Sequence, residues 1–230
     1  MSELKTADRA CLGSNSPRTT RWCIVAVVVG AICVRTNSVF ADEPSIVRIE
    51  EDWVVEVSNP EEELSSPQII TSMSSTDELA DVHAIFELNH RTLPEYAAGG
   101  MGLQLWSNDT NLENRWSPKT ASLSFEDETI YYTMRMELHD GNIDFEVRNG
   151  YSTTWSSFGN AGYLKVGTTT TQTSLSQYDP EVSVANSRIA FAKHRVQKFG
   201  ILRVRYYTHD NQLVNVDYAD RMVHVLSDEE

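Results

Sequence analysis

The sequence predicts an all-β protein, an antiparallel two-sheet β-sandwich, and three observations predict it. In the first, Ile130, Tyr132, Met134, Met136 and Leu138 alternate with polar residues, Asp140-Gly141 follows, and the alternation resumes with Ile143, Phe145 and Val147. Strict alternation marks a half-buried strand, and Asp-Gly supplies the positive φ of a tight hairpin turn. A two-residue loop pairs Leu138 with Ile143, Met136 with Phe145 and Met134 with Val147, and on the other face Arg135 with Glu146 and Thr133 with Arg148. A one-residue slip would spoil both faces. The second observation is another hairpin, Leu202–Tyr206 against Val214–Tyr218. A three-residue loop His209-Asp210-Asn211 would pair Tyr206 with Val214, Val204 with Val216, Leu202 with Tyr218 and Arg203 with Asp217. The third is that no segment after residue 41 sustains a 3.6-residue apolar period. About ten short β-prone runs are instead separated by Gly, Pro, Asn and Asp.

Taken in order, residues 1–21 are polar and carry Arg18 and Arg21, and Trp22–Val34 is an unbroken apolar run of thirteen residues. At roughly 1.5 Å per residue it is too short for a hydrocarbon layer of about 30 Å. It suits the apolar core of a signal peptide, and Val39-Phe40-Ala41 suits the cleavage site. Residues 1–41 are therefore expected to be a signal peptide. The protein is expected to be exported, periplasmic or extracellular, touching a membrane only if that segment stays uncleaved. Cys11, Cys23 and Cys33 all precede Ala41. The exported part then has no thiolate nucleophile, Cys-ligated zinc or disulfide.

One domain, 45–226, is expected to follow. Strands are predicted at Val47–Val57, Gln68–Met73, His83–Arg91, Met101–Trp106, Ala121–Phe125, the central hairpin, Tyr151–Trp155, within the Thr-rich run Tyr163–Ser174, at Arg188–Ala192, and in the last hairpin. Single helical turns are predicted at Asn59-Pro60-Glu61, within Ser74–Asp81, and at Leu93–Gly100. Ser107–Lys119 reads as a long polar loop. Trp53, on its alternating strand, is a core residue.

The chain is 40% hydrophobic and 23% charged, with a net charge of −14. Residues 1–41 hold five basic and two acidic side chains, leaving 14 basic and 31 acidic, a net of −17, for the rest. Such a surface repels nucleic acid and anionic lipid. No Gly-x-Ser-x-Gly element is present, and Gly99-Gly100-Met101-Gly102 precedes a strand, so it is not a phosphate loop. The histidines do not cluster in the sequence, and no Asp-rich loop has calcium spacing. No cofactor or metal is expected.

The strand pattern over 45–226 resembles the concanavalin-like jelly roll, the architecture of lectins, glycoside hydrolases and polysaccharide lyases. Asn142-Ile143-Asp144-Phe145-Glu146 resembles the Glu-x-Asp-x-Glu strand of laminarinase-like hydrolases, whose alternate acids serve as nucleophile, helper and acid/base. Here Asn142 occupies the first position, and an amide cannot be a carboxylate nucleophile. Tyr163-Leu164-Lys165-Val166-Gly167 resembles the Tyr-Phe-Lys-Ala-Gly strand of alginate-lyase-like enzymes, with Gln172 near that family's Gln, and Glu87–Arg91 is similar to its Arg-rich strand. Gln68-Ile69-Ile70 lacks the family's catalytic His and precedes that strand, so no His/Tyr pair is assigned.

What remains for chemistry is a set of binding residues. Asp144, Glu146 and Arg135 share the outward face of the central hairpin, where Arg135 lies across from Glu146. Trp106, Trp116, Tyr151 and Trp155 fall at strand ends or in loops, where flat rings can cover the C–H face of a sugar. The sequence thus points to an exported binding or structural module, carbohydrate-binding in its residue types, with a glycan or another surface protein as partner. The alternative is a polysaccharide-cleaving enzyme of the concanavalin-like class.

Overall fold

The computed structural model describes residues 45–58, 67–79, 81–89, 100–117, 123, 127–154, 156–160 and 162–226. The expected signal peptide, the expected turns at 59–61 and 93–99, most of the expected strand 121–125, and Trp155 lie outside the described residues. Thirteen strands are described: β1 (Ile46–Val57), β2 (Gln68–Ser74), β3 (His83–Leu88), β4 (Met101–Ser107), β5 (Thr110–Trp116), β6 (Glu128–His139), β7 (Asn142–Ser152), β8 (Ser156–Phe158), β9 (Lys165–Thr169), β10 (Arg188–Phe191), β11 (Val196–Thr208), β12 (Leu213–Asp217) and β13 (Arg221–Val225). One α-helix, α1 (Pro180–Asn186), accompanies them.

The strands form two antiparallel sheets packed as a sandwich. The larger runs β12-β11-β1-β6-β7-β8, with β13 also on β11 and β9 also on β7; the smaller runs β10-β2-β3-β4-β5. Alternation puts Ile49, Trp53 and Val55 of β1, Met134 and Met136 of β6, and Phe145 and Val147 of β7 against Phe86 and Leu103 of the smaller sheet, all fully buried. Tyr132 stacks on Trp53 and meets Phe86 edge-on. Its hydroxyl lies 2.5 Å from Thr71 Oγ1 and ties the sheets together through the core.

The central hairpin has the expected register from Leu138 opposite Ile143 to Thr133 opposite Arg148, Arg135 opposite Glu146 and Met136 opposite Phe145 included, and a bulge between Tyr131 and Thr133 shifts it beyond. Asp140 and Gly141 both take positive φ, 47° and 74°, as the tight turn requires. The last hairpin departs from expectation by one residue. Val204 pairs with Asp217, Arg205 with Val216 and Tyr206 with Asn215. The three-residue loop His209-Asp210-Asn211 itself forms as expected: the Thr208 amide donates to Gln212 O, the Asn211 amide donates to Thr208 O, and Asn211 takes a left-handed φ of 65°. The shift arises just beyond the loop, at a bulge between Tyr206 and Tyr207: Tyr207 still pairs with Leu213, but Tyr206 pairs with Asn215 rather than Val214. Neither face of β12 is fully buried, so no apolar pattern pins its register.

Other expectations are corrected as well. The polar run after Trp106 is no loop, because Asn108 and Asp109 take φ of 46° and 62° and turn the chain back into β5. Tyr151 belongs to β7, and the third strand of the meander is β8. Residues 74–79 contain bends rather than a helical turn. Asp179-Pro180-Glu181 opens α1: the Asp179 carboxylate accepts from the Glu181 amide, and Pro180 sits in the first turn. This helix packs on β2 of the smaller sheet and on β13 of the larger, closing one side of the sandwich. On the opposite side the Gly167 amide of β9 donates to Glu113 of β5 at 3.0 Å.

Candidate functional site

The outer face of the larger sheet carries the alternate residues that the core rejects, and register arranges them in rows. One row runs Lys165, Glu146, Arg135, Glu50 and Arg205 across five strands, alternating in sign. A second runs Asp144, Glu137, Arg48 and Tyr207; a third Arg148, Thr133, Asp52 and Arg203. Opposite charges side by side favour the sheet as built, and like charges there would disfavour it. The one like pair, Glu137 beside Asp144, is relieved by neighbours. Arg135 and Arg48 reach Glu137, the latter at 3.7 Å. Lys165 Nζ and His139 Nε2 lie 2.6 and 2.5 Å from Asp144 Oδ2.

Each carboxylate of these rows has a basic partner. Asp52 accepts from Thr133 Oγ1 at 2.8 Å, Arg205 Nη2 at 2.7 Å and Arg203 Nε at 2.7 Å. Glu146 lies 3.5 Å from Arg135 and 3.7 Å from Arg148. The Arg48 guanidinium sits 3.9 Å above the Tyr207 ring, in cation–π geometry. Partial burial works against ionisation of Asp144, but the hydrogen bonds and charges of Lys165 and His139 outweigh it and hold the carboxyl below its ordinary value. Gly167 lies against the same group: a Cβ there would stand 2.1 Å from Asp144 Oδ1.

Beside this ionic field lies a cleft of about 490 Å³, with Asp52, Thr133, Arg203 and Arg205 among its polar lining and Tyr131, Leu202 and Tyr218 among the rest. Its volume falls within the range of small-ligand sites. Tyr131 is 45% exposed and Tyr218 70% exposed, so both present ring surface to solvent. Tyr151 is the cross-strand partner of Tyr131 and is equally open. Arg135, Glu137, Asp144, Glu146 and Lys165 enclose a separate space of only 90 Å³. Among the described residues no group of three or more His, Cys, Asp or Glu is placed to hold a metal ion.

The structure therefore brings Arg135, Asp144 and Glu146 together on one face, with Tyr151 one row beyond the charged ones. It puts Trp106 and Trp116 on the other sheet. The cleft residues Asp52, Tyr131, Arg203, Arg205 and Tyr218 were not singled out by the sequence. Their only signal was position: Tyr131 and Thr133, and likewise Arg203 and Arg205, fall between the apolar residues of long alternating strands. That marks an outward face without marking a site.

The fold and this face define a two-sheet β-sandwich with an ion-paired, tyrosine-flanked outer surface. No protein-family model matches the chain, and no curated protein is significantly similar to it.

Proposed function

We propose that this protein is an exported carbohydrate-binding module, concanavalin-like in architecture, that holds a neutral glycan in the cleft between Tyr131 and Tyr218. The observation that carries the reading is two exposed rings beside a polar floor whose charges are already paired. Rings of this kind bury the C–H face of a pyranose, and an amphipathic tyrosine loses little conformational freedom in doing so. A floor of compensated ions offers hydroxyl-sized donors and acceptors without demanding a charged ligand. Cleavage is the weaker reading. It needs one carboxyl kept protonated beside an ionised one. Asp144 is instead held ionised by Lys165 and His139, and Asn142 stands where a nucleophile would be required.

The test is affinity electrophoresis of the exported chain through gels containing neutral β-glucan, xylan or galactan. At least one polymer is expected to retard the protein. Tyr131→Ala and Tyr218→Ala are each expected to weaken that retention by about tenfold, which corresponds to about 1.4 kcal/mol. Unretarded migration in all three gels, or retention indifferent to both substitutions, would count against the cleft.

A further inference from the structure

The smaller sheet turns its own outer face away from the cleft, and a second ring is fixed there. Trp116 of β5 stands opposite Gly102 of β4. A Cβ at Gly102 would lie 1.8 Å from Trp116 Cζ3 and 2.3 Å from Cε3, so the indole rests directly on the β4 backbone and only glycine admits it. Although seated in this way, the side chain is 46% exposed. A large ring that is fixed yet open binds at low entropic cost, because its rotamer is set before any ligand arrives.

The polar groups around it are fixed too. Register sets Glu87 beside Gly102, and Gln104 beside Asn114. Trp106 Nε1 donates to Gln104 Oε1 at 3.0 Å, and Gln104 also hydrogen-bonds Glu87. The Asn111 and Asn114 amides donate to each other at 3.0 and 2.6 Å. A seated ring edged by ordered amides matches a sugar: C–H groups on the indole, hydroxyls on the amides.

We infer that the outer face of the smaller sheet, centred on Trp116, is a second contact platform for neutral glycans, so that one molecule bridges two sugar chains held on opposite sides of the sandwich. The ligand class rests on the reading of the Tyr131–Tyr218 cleft; the platform itself rests on Trp116 and Gly102.

The experiment titrates the full exported protein with cellohexaose by calorimetry and mixes it with beads coated in hydroxyethyl cellulose. Wild type is expected to bind two oligosaccharides per chain and to agglutinate the beads. Trp116→Ala removes a half-exposed ring and leaves the core intact. It is expected to lose one of the two sites and all agglutination, and Gly102→Val, which displaces the indole, is expected to do the same. A single wild-type site that survives Trp116→Ala and Gly102→Val, or two sites persisting in both variants, overturns the platform; a single site that both variants abolish overturns the bridging and the cleft. The pair Tyr131→Ala and Tyr218→Ala reports on the cleft separately. If together they leave two sites, of which Trp116→Ala removes one, the cleft reading fails and the platform stands. No binding in wild type sinks both.

Discussion

Glu51 is an ionisable side chain on the inner, apolar face of a strand. It is fully buried in β1, and its carboxylate accepts from Trp53 Nε1 at 2.8 Å, Tyr178 OH at 2.5 Å and Ser183 Oγ at 2.5 Å. Two of these donors come from α1 and the segment leading into it, so one carboxyl holds the helix to the larger sheet. Burial pushes its pKa up from 4.5 to about 7, against the lowering effect of the three hydrogen bonds. The folded state therefore prefers the protonated form more than the unfolded chain does. Between about pH 4.5 and pH 7 the native state holds a proton that the unfolded state has released. Stability from this group is thus present in full below that window, falls as pH rises through it, and is level above it. The size is of order 3 kcal/mol, from about 1.4 kcal/mol per pH unit. Denaturation of wild type and Glu51→Gln across pH 4–8 isolates the effect. The variant is expected to lack this slope and, with one donor left unpaired, to lose about 1–3 kcal/mol at acidic pH. Parallel pH profiles for the two proteins would show that Glu51 does not titrate in the window.

Elements differ in how firmly the sequence specifies them, and the reason is burial. The pairing of β6 with β7 near their turn, from Leu138–Ile143 to Thr133–Arg148, was legible because one face is buried and a tight turn fixes the start of pairing, whereas the far end of β7 was not. The register of β12 was not, since its side chains are exposed or half-buried and a bulge intervenes. Strand β5 was missed because its composition is polar, an edge strand being free to carry Asn, Glu and Arg. Of the site, the ionic face was legible, but the cleft was not, because the positions that line it come from strands distant in sequence. Within the central hairpin, Phe145→Ala is expected to cost about 3–5 kcal/mol, as a fully buried ring leaves a cavity. Glu146→Ala is expected to cost ~0–1 kcal/mol, because Arg135 keeps Glu137 as a partner. Urea denaturation of both variants measures the contrast, and equal losses would mean that the faces are misassigned.

At the scale of the whole molecule, charge is distributed unevenly, and that distribution bears on the ligand. The net charge is −14, yet the outer face of the larger sheet gathers Arg48, Arg135, Arg148, Lys165, Arg203 and Arg205 against Glu50, Asp52, Glu137, Asp144 and Glu146. That face is balanced, so the excess acidity lies in the rest of the chain and repels polyanions from a distance. Two kinds of glycan then give opposite salt responses. An anionic chain would have to recruit arginines away from their carboxylates, and its binding would weaken steeply with salt, as binding does whenever phosphates or carboxylates are neutralised by several cations. A neutral chain gains from ring contact and hydrogen bonds, which a Debye length shrinking below about 10 Å scarcely touches. The ion pairs of the floor are short and partly shielded by their neighbours, with Asp52 and Arg205 at 18% and 20% side-chain exposure, so the cleft keeps its shape in the same salt. Retention on the neutral glycan is therefore expected to change by less than about twofold between roughly 50 and 500 mM sodium chloride, where the screening length falls about threefold. Affinity electrophoresis in buffers of increasing salt reads this directly. A tenfold loss over that range would mean that retention depends on charge rather than on ring contact and hydrogen bonds, and that the neutral-glycan reading of the cleft is wrong.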